Sequence, residues 1–267
     1  MSESANAKAK VICFANQKGG PGKTTTCHNV SVQFARTKKR VLCIDMDGQG
    51  NLSKLLDIET DETPNNIASF LTDQKGGIKS VIHKTKLENL DLIPSNRNTY
   101  FAEKDLVMKN GREFILTDGL EEIKGEYDII SIDTPPNLGL LTFSSILASN
   151  FVLLVTTSSE LSLDGLSEVL DTIESIQTNK RLNVNNTKVM GAIRNDYKMS
   201  NKIINRYAEN ELQSAKALIP RVFSSIRSTT EIEKAQKDHK PIYDFIKNHP
   251  VIDDYKKLTR EILKCLS

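Results

Sequence analysis

The apolar run Val11-Ile-Cys-Phe-Ala15 stops shortly before Lys18-Gly-Gly-Pro-Gly-Lys23-Thr24-Thr25. A short apolar run, a glycine-rich turn and a helix start, in that order, leave a chain few options. The run is a buried strand, and the helix begins straight out of the turn. Glycines let successive backbone N–H groups face one point, and the helix N-terminus adds positive potential there. Gly19, Gly20, Pro21 and Gly22 therefore form a cradle for phosphate oxygens. Lys23 can reach the outer phosphates and the Thr24 hydroxyl can ligate Mg²⁺, with Thr25 expected at the innermost phosphate. Lys18 is different, because the loop curls away from it; it is placed to reach a nucleotide held by a second copy.

Further elements follow in the order such a cradle needs. Arg40-Val-Leu-Cys-Ile-Asp45 reads as a second buried strand, ending near Asp45 and Asp47. Tyr127-Asp-Ile-Ile-Ser-Ile-Asp133-Thr-Pro-Pro136 reads as a third, again ending in an aspartate. Ligands of open α/β sheets sit beyond the carboxyl ends of the strands, so the three acids converge on the phosphates. Apolar runs alternate with amphipathic stretches along the chain, which predicts an α/β, doubly wound, mostly parallel sheet flanked by helices. With 267 residues, 38% hydrophobic, and no long linker or repeat, residues 1–267 are read as one domain, with a flexible N-terminus over 1–9.

The pattern predicts helices over residues 24–38, 51–56, 161–176, 201–212 and 253–266, and two more within 98–124 divided near Gly111. Leu163, Leu166, Leu170 and Ile173 share one side of the helix over 161–176. Thr63 followed by Pro64 reads as a cap and first position of a helix running through Phe70 and Leu71. Strands are predicted over 90–94, 151–155 and 187–193, with a short edge strand at 217–220.

The segments Asn16-Gln-Lys-Gly-Gly-Pro-Gly-Lys-Thr-Thr-Thr26, Asp45-Met-Asp47-Gly-Gln-Gly-Asn51 and Asp133-Thr-Pro-Pro-Asn-Leu-Gly139 resemble the ParA family of partition ATPases. That family lies in the deviant Walker A class of P-loop NTPases, beside MinD and the nitrogenase iron protein. The resemblance implies ATP and Mg²⁺ as cofactors. Thr24 would hold the metal, Asp133 would hold it through water, and Asp45 would orient Thr24 and the water shell. Asp47 would position or activate the attacking water; read locally, it is a helix N-cap in a glycine-rich turn. Lys18 would donate to the γ-phosphate of the opposite subunit, favouring a face-to-face homodimer around two ATP molecules. Residues 133–139 and 160–165 would move on hydrolysis. The adenine would lie near Asn195 and Pro220. Two departures stand out. Gly48 replaces the usual proline and would loosen the turn carrying Asp47, implying weak hydrolysis. His239 replaces a small residue and reads as surface.

Charge is unevenly spread. Residues 1–179 hold 18 Lys/Arg against 24 Asp/Glu, whereas residues 180–267 hold 18 against 10. A basic C-terminal third suits an anionic polymer, although a solvated lysine-rich surface gives the same composition. The small members of the family lack an N-terminal helix-turn-helix and bind DNA without sequence preference. Arg194, Arg221 and Arg227 are the first candidates here. Lys198, Lys202 and Arg206 recur every four residues, on one face if helical. The resemblance also implies a centromere-binding partner that stimulates hydrolysis, and a cytoplasmic, nucleoid-associated location. A MinD-like membrane-associated positioning ATPase is the alternative, and would need residues 253–267 to fold on lipid. No run approaches a membrane span, so stable membrane insertion is not expected. An iron–sulfur carrier would need cysteines after Asp133, and residues 134–264 contain none.

Overall fold

The computed structural model describes residues 8–60, 63–157, 160–196, 198, 200–214 and 218–266. The side chains of residues 160–164, 202, 204, 211, 213 and 214 lie outside that description.

Seven strands form one sheet: β1 (Lys10–Ala15), β2 (Val41–Asp45), β3 (His83–Lys84), β4 (Leu90–Ile93), β5 (Ile129–Asp133), β6 (Phe151–Thr156) and β7 (Lys188–Arg194). Their order is β3-β4-β2-β5-β1-β6-β7. All neighbours run parallel except β3, which pairs antiparallel to β4 at the edge. Helices α1 (Lys23–Arg36), α2 (Asn51–Leu55), α3 (Ile67–Asp73), α4 (Asn98–Leu106), α5 (Ile115–Glu121), α6 (Leu140–Leu147) and α7 (Glu160–Thr178) cross between strands. α8 (Lys202–Ser214), α9 (Thr230–Lys237), α10 (Ile242–Phe245) and α11 (Pro250–Leu266) follow the last strand.

Side chains alternate across the central strands, so both sheet faces are apolar and both need covering. Ile12 and Phe14 of β1 join Val30 and Phe34 of α1 and Leu258 of α11 on one face. Val11 packs on the other with α3, α4 and α5, and Cys13 there with α6, α7 and α8. The chain leaves β1 for β2, skipping the place that β5 later fills, and β5 leads to β6 on the far side of β1. This reversal opens a crevice at the carboxyl ends of β1, β2 and β5.

Three local expectations are corrected. α3 starts at Ile67, because Asn66 caps it: its side chain accepts from the Ser69 N–H while the Ser69 hydroxyl accepts from the Asn66 N–H. A reciprocal box satisfies two open donors, where the Thr63-Pro64 pair offers one cap. The edge strand expected near 217–220 is absent among the described residues; instead Val222 makes an isolated parallel bridge to Ala192. Residues 215–217 lie outside the description. α8 begins at Lys202, so Lys198 precedes the helix and does not share a helical face with Arg206.

The flexible N-terminus expected over 1–9 falls mostly on residues 1–7, outside the description. Ala9, by contrast, is buried and its N–H donates to the Lys124 carbonyl at 2.8 Å. α11 buries Val251, Ile252, Tyr255, Leu258 and Ile262, so its apolar face is already covered by the core. That removes the feature the membrane alternative needs. No helix among the described residues is long and apolar enough to cross a membrane.

Candidate functional site

The glycine-rich turn joins β1 to α1 as the sequence predicts. Gly20 and Gly22 adopt left-handed φ values of 87° and 86°, which L side chains resist. Gly22 has a second reason: a Cβ there would sit 2.6 Å from Asn195 Nδ2. The first turn of α1 carries no side-chain cap, so its open N–H groups face the crevice. Lys23 is buried, and its ammonium donates to the Lys18 carbonyl at 3.0 Å. Burial lowers its pKa, against the opposing pull of Asp133 and Asp47. Lys18 is held by its backbone: its N–H donates to Asn16 Oδ1 at 2.8 Å, and Asn16 Nδ2 donates to the Val155 carbonyl at 2.8 Å. A cleft of about 770 Å³ opens over the turn, lined by residues 19–25, Asp47, Gln49, Thr134 and Pro136 from below and by α9 residues beside it.

Asp45 and Asp133 are register partners on adjacent strands, and both are fully buried. Their environments differ. Asp45 Oδ1 accepts from the Asp47 N–H at 3.1 Å, while Oδ2 accepts from the Ser53 N–H at 2.9 Å and the Ser53 hydroxyl at 2.8 Å. Burial pushes its pKa up to about 6, against the pull of those bonds. Asp45 thus braces the turn carrying Asp47 and the start of α2, where the sequence reading has it orienting Thr24. Ser53→Ala removes one of these bonds and the bond the Ser53 hydroxyl accepts from the Ser95 N–H at 3.0 Å. It should destabilise the chain by about 1–3 kcal/mol, read from urea unfolding midpoints.

Neither carboxylate oxygen of Asp133 has a hydrogen-bond partner among the described residues. Burial, then the like charge of Asp45, raise its pKa well above the ordinary carboxylate value; the Thr24 hydroxyl and Lys23 pull the other way. A buried carboxylate with no well-formed hydrogen bond, facing a threonine hydroxyl at the mouth of a phosphate cradle, is a set of oxygen ligands that fits a hard divalent cation.

Asp47 is also nearly buried, and its Oδ1 accepts two bonds, from the Gln49 N–H and from the Tyr100 hydroxyl, each at 3.0 Å. Tyr100, in the first turn of α4, has no signal in the sequence near the motifs. Its ring also explains Gly48: a Cβ at that position would lie 2.5 Å from Tyr100 Cε2. The glycine makes room for a clamp on the Asp47 turn, which corrects the expectation that it loosens the turn.

On the other side of the cradle, Asn195 Nδ2 donates to the Pro21 carbonyl at 2.8 Å and to the Thr26 hydroxyl at 2.9 Å. Its buried Oδ1 accepts no bond among the described residues. Gln236 of α9 donates to the Thr25 hydroxyl at 2.8 Å. A cavity of about 250 Å³ here is lined by Gly20, Asn195, Asp196, Arg227 and the segment 228–230, among others. Pro220 is exposed and lines neither cavity, so its pairing with Asn195 is corrected. His239, read as surface, is exposed but lines the main cleft.

The basic candidates divide. Arg194 is 3% exposed and donates to the Asn205 carbonyl and Glu209, so it braces α8 and cannot meet a DNA phosphate. Arg227 makes two side-chain bonds to Asp254, at 2.6 and 2.8 Å, and is likewise corrected from a free contact to a clamp on α11. Lys198, Arg206 and Arg221 are exposed; the Lys202 side chain lies outside the description.

Residues 9–188 match the AAA domain family. The Bacillus subtilis (strain 168) sporulation initiation inhibitor protein Soj is 41% identical over 174 residues, 65% of this chain and 68% of that one. Apo McdA from Cyanothece superposes with a TM-score of 0.85 at 21% identity, covering 96% of this chain and 99% of that one. Cobyrinic acid a,c-diamide synthase from Mycobacterium smegmatis, solved with an ATP analogue and magnesium, has a TM-score of 0.78 at 26% identity, covering 96% and 95%. With the P-loop and the two aspartate-tipped strands already in place, these likenesses identify the chain as a member of the ParA-type family of partition ATPases.

Proposed function

We propose that the chain is an ATP-switched positioning ATPase of the segregation type. Two copies close face to face around two Mg-ATP molecules, and the closed dimer holds duplex DNA without sequence preference. A centromere-binding partner stimulates hydrolysis, which releases the DNA. The observation that carries the reading is the pairing of the open cradle with unpartnered Asp133 and inward Lys23. That combination is built for a triphosphate and its cation.

Each residue has a stated task. The turn amides and Lys23 hold the β- and γ-phosphates. Thr24 would hold Mg²⁺ directly and Asp133 would hold it through water, and the bound ion would neutralise charge developing on the phosphates. Asp47 orients the attacking water, and Lys18 reaches the other subunit's nucleotide. Asn195, with its unused Oδ1, faces the base. Loss of the γ-phosphate removes contacts made by both subunits, so the closed state loses its differential stabilisation. The DNA surface is carried by Lys198, Arg206 and Arg221, and pairing two copies doubles it.

The test is a mobility shift on random duplex DNA with ATP, ADP or no nucleotide, repeated across salt. Binding is expected with Mg-ATP alone, with affinity falling steeply as salt rises. Replacing Lys198, Arg206 and Arg221 together by alanine should weaken it by about tenfold or more while ATP affinity stays unchanged. Equal shifts with and without nucleotide would remove the switch from the proposal.

A further inference from the structure

The turn that carries Asp47 is over-determined from a direction the motifs do not include. α4 starts after a four-residue connection from β4, residues 94–97, and its first turn is tied to the strand ends by a buried chain of hydrogen bonds. Asp45 Oδ2 accepts from the Ser53 hydroxyl, which accepts from the Ser95 N–H at 3.0 Å, and Ser95 Oγ meets Thr99 Oγ1 at 2.8 Å. Ser95 and Thr99 are fully buried. Tyr100 is the next residue, so its ring leaves α4 from a fixed point.

From there the ring lies over Gly48 and the hydroxyl lands on Asp47. The hydroxyl donates to Asp47 Oδ1 and accepts from Gln49 Nε2, both at 3.0 Å. Oδ1 is thus committed twice, to Tyr100 and to the Gln49 N–H. Oδ2 accepts no hydrogen bond among the described residues, and Asp47 lines the cleft. A carboxylate pinned through one oxygen presents the other in one direction.

We infer that Tyr100 is a positioning residue for hydrolysis: by holding Asp47 Oδ1 across the open face of Gly48, it aims Oδ2 at the water that attacks the γ-phosphate. This rests on the reading of Asp47 as the residue that orients that water. Tyr100 does not line the cleft over the phosphate cradle. It acts through Asp47, and its effect falls on turnover with little on ATP binding. Gly48 belongs to the same device, since any side chain there displaces the ring.

The experiment is steady-state phosphate release by the full chain with Mg-ATP, comparing Tyr100→Phe, Gly48→Ala, Tyr100→Ala, the double variant Gly48→Ala/Tyr100→Ala and Asp47→Asn. Phenylalanine keeps the ring and removes the pin. Tyr100→Phe should lower kcat about tenfold with KM for ATP within about twofold, as loss of one bond to a charged group would. Gly48→Ala should lower kcat to a similar extent, because its Cβ meets the ring. In the Tyr100→Ala background it should add nothing, since the clash partner is gone. Asp47→Asn should lose turnover. Unchanged kcat in Tyr100→Phe, or Gly48→Ala and Tyr100→Ala effects that multiply, overturns the role of Tyr100 while leaving Asp47 intact. Undiminished turnover in Asp47→Asn overturns the reading of Asp47 and the inference with it.

Discussion

Asp133→Asn is expected to raise the melting temperature of the nucleotide-free chain and to lower Mg-dependent turnover by about 100-fold or more. The two effects have one cause. Asp133 is a fully buried carboxylate that makes no well-formed hydrogen bond among the described residues, with only the Thr24 hydroxyl facing it, beside a second buried carboxylate at Asp45. A group held that way destabilises the fold until a cation neutralises it. Asparagine keeps the shape and removes the charge. If this relieves about 1 kcal/mol, the melting temperature should rise by about 2–4 °C. Differential scanning fluorimetry without magnesium, set beside phosphate release with it, reads both.

The same carboxylates give a pH dependence with a defined sign. Burial holds Asp45 at about 6 and Asp133 well above its ordinary value. In the folded state both keep their protons to higher pH than in the unfolded chain. Between the unfolded value and the folded one, the native state therefore binds more protons, and stability falls as pH rises. The metal-free parent should lose stability from about pH 4 upward through about pH 6. Asp133→Asn should flatten this slope, because one titrating group is gone. A slope equal to the parent's would mean that Asp133 is already paired in solution.

Lys18→Ala is expected to abolish the ATP-dependent dimer. The Lys18 backbone is locked by Asn16, and Gly165 of α7 leaves room for its side chain: a Cβ at 165 would lie 2.8 Å from Lys18 Cγ. Its carbonyl is occupied by Lys23, so the residue is fixed at the rim of the cradle without filling it. Truncating one partner of a charge-assisted contact across an interface weakens association by about 2–5 kcal/mol, which is at least ~30-fold in the dimer constant. Light scattering in Mg-ATP, with Asp47→Ala in both chains to block turnover, should show a dimer that Lys18→Ala reduces to monomer. Persistent dimers would deny Lys18 its cross-subunit role.

Much of the fold was legible because its signals are local. The apolar runs of β1, β2 and β5 are continuous, as strands covered on both faces must be, and each ends in a motif that stops it. The division near Gly111 and the terminal helix follow from a turn residue and from helical periodicity. The differences arise where a stronger neighbouring cap or a distant contact outweighs the signal first read. Thr63-Pro64 is a sound cap and first position, yet Asn66 and Ser69 close a better box three residues later. Arg194 and Arg227 count as basic residues in any composition, but Glu209 and Asp254 hold them from elements 15 and 27 residues away.

The sequence alone determined the phosphate cradle, the aspartate-tipped strands and the parallel sheet, since spacing, glycine and apolar continuity act between near neighbours. The tertiary structure alone decided which charges face solvent, which oxygens of Asp45, Asp47 and Asp133 remain open, and that Tyr100 reaches across 53 residues to Asp47. Burial and hydrogen-bond saturation depend on what packs alongside, and a linear spacing carries no record of that.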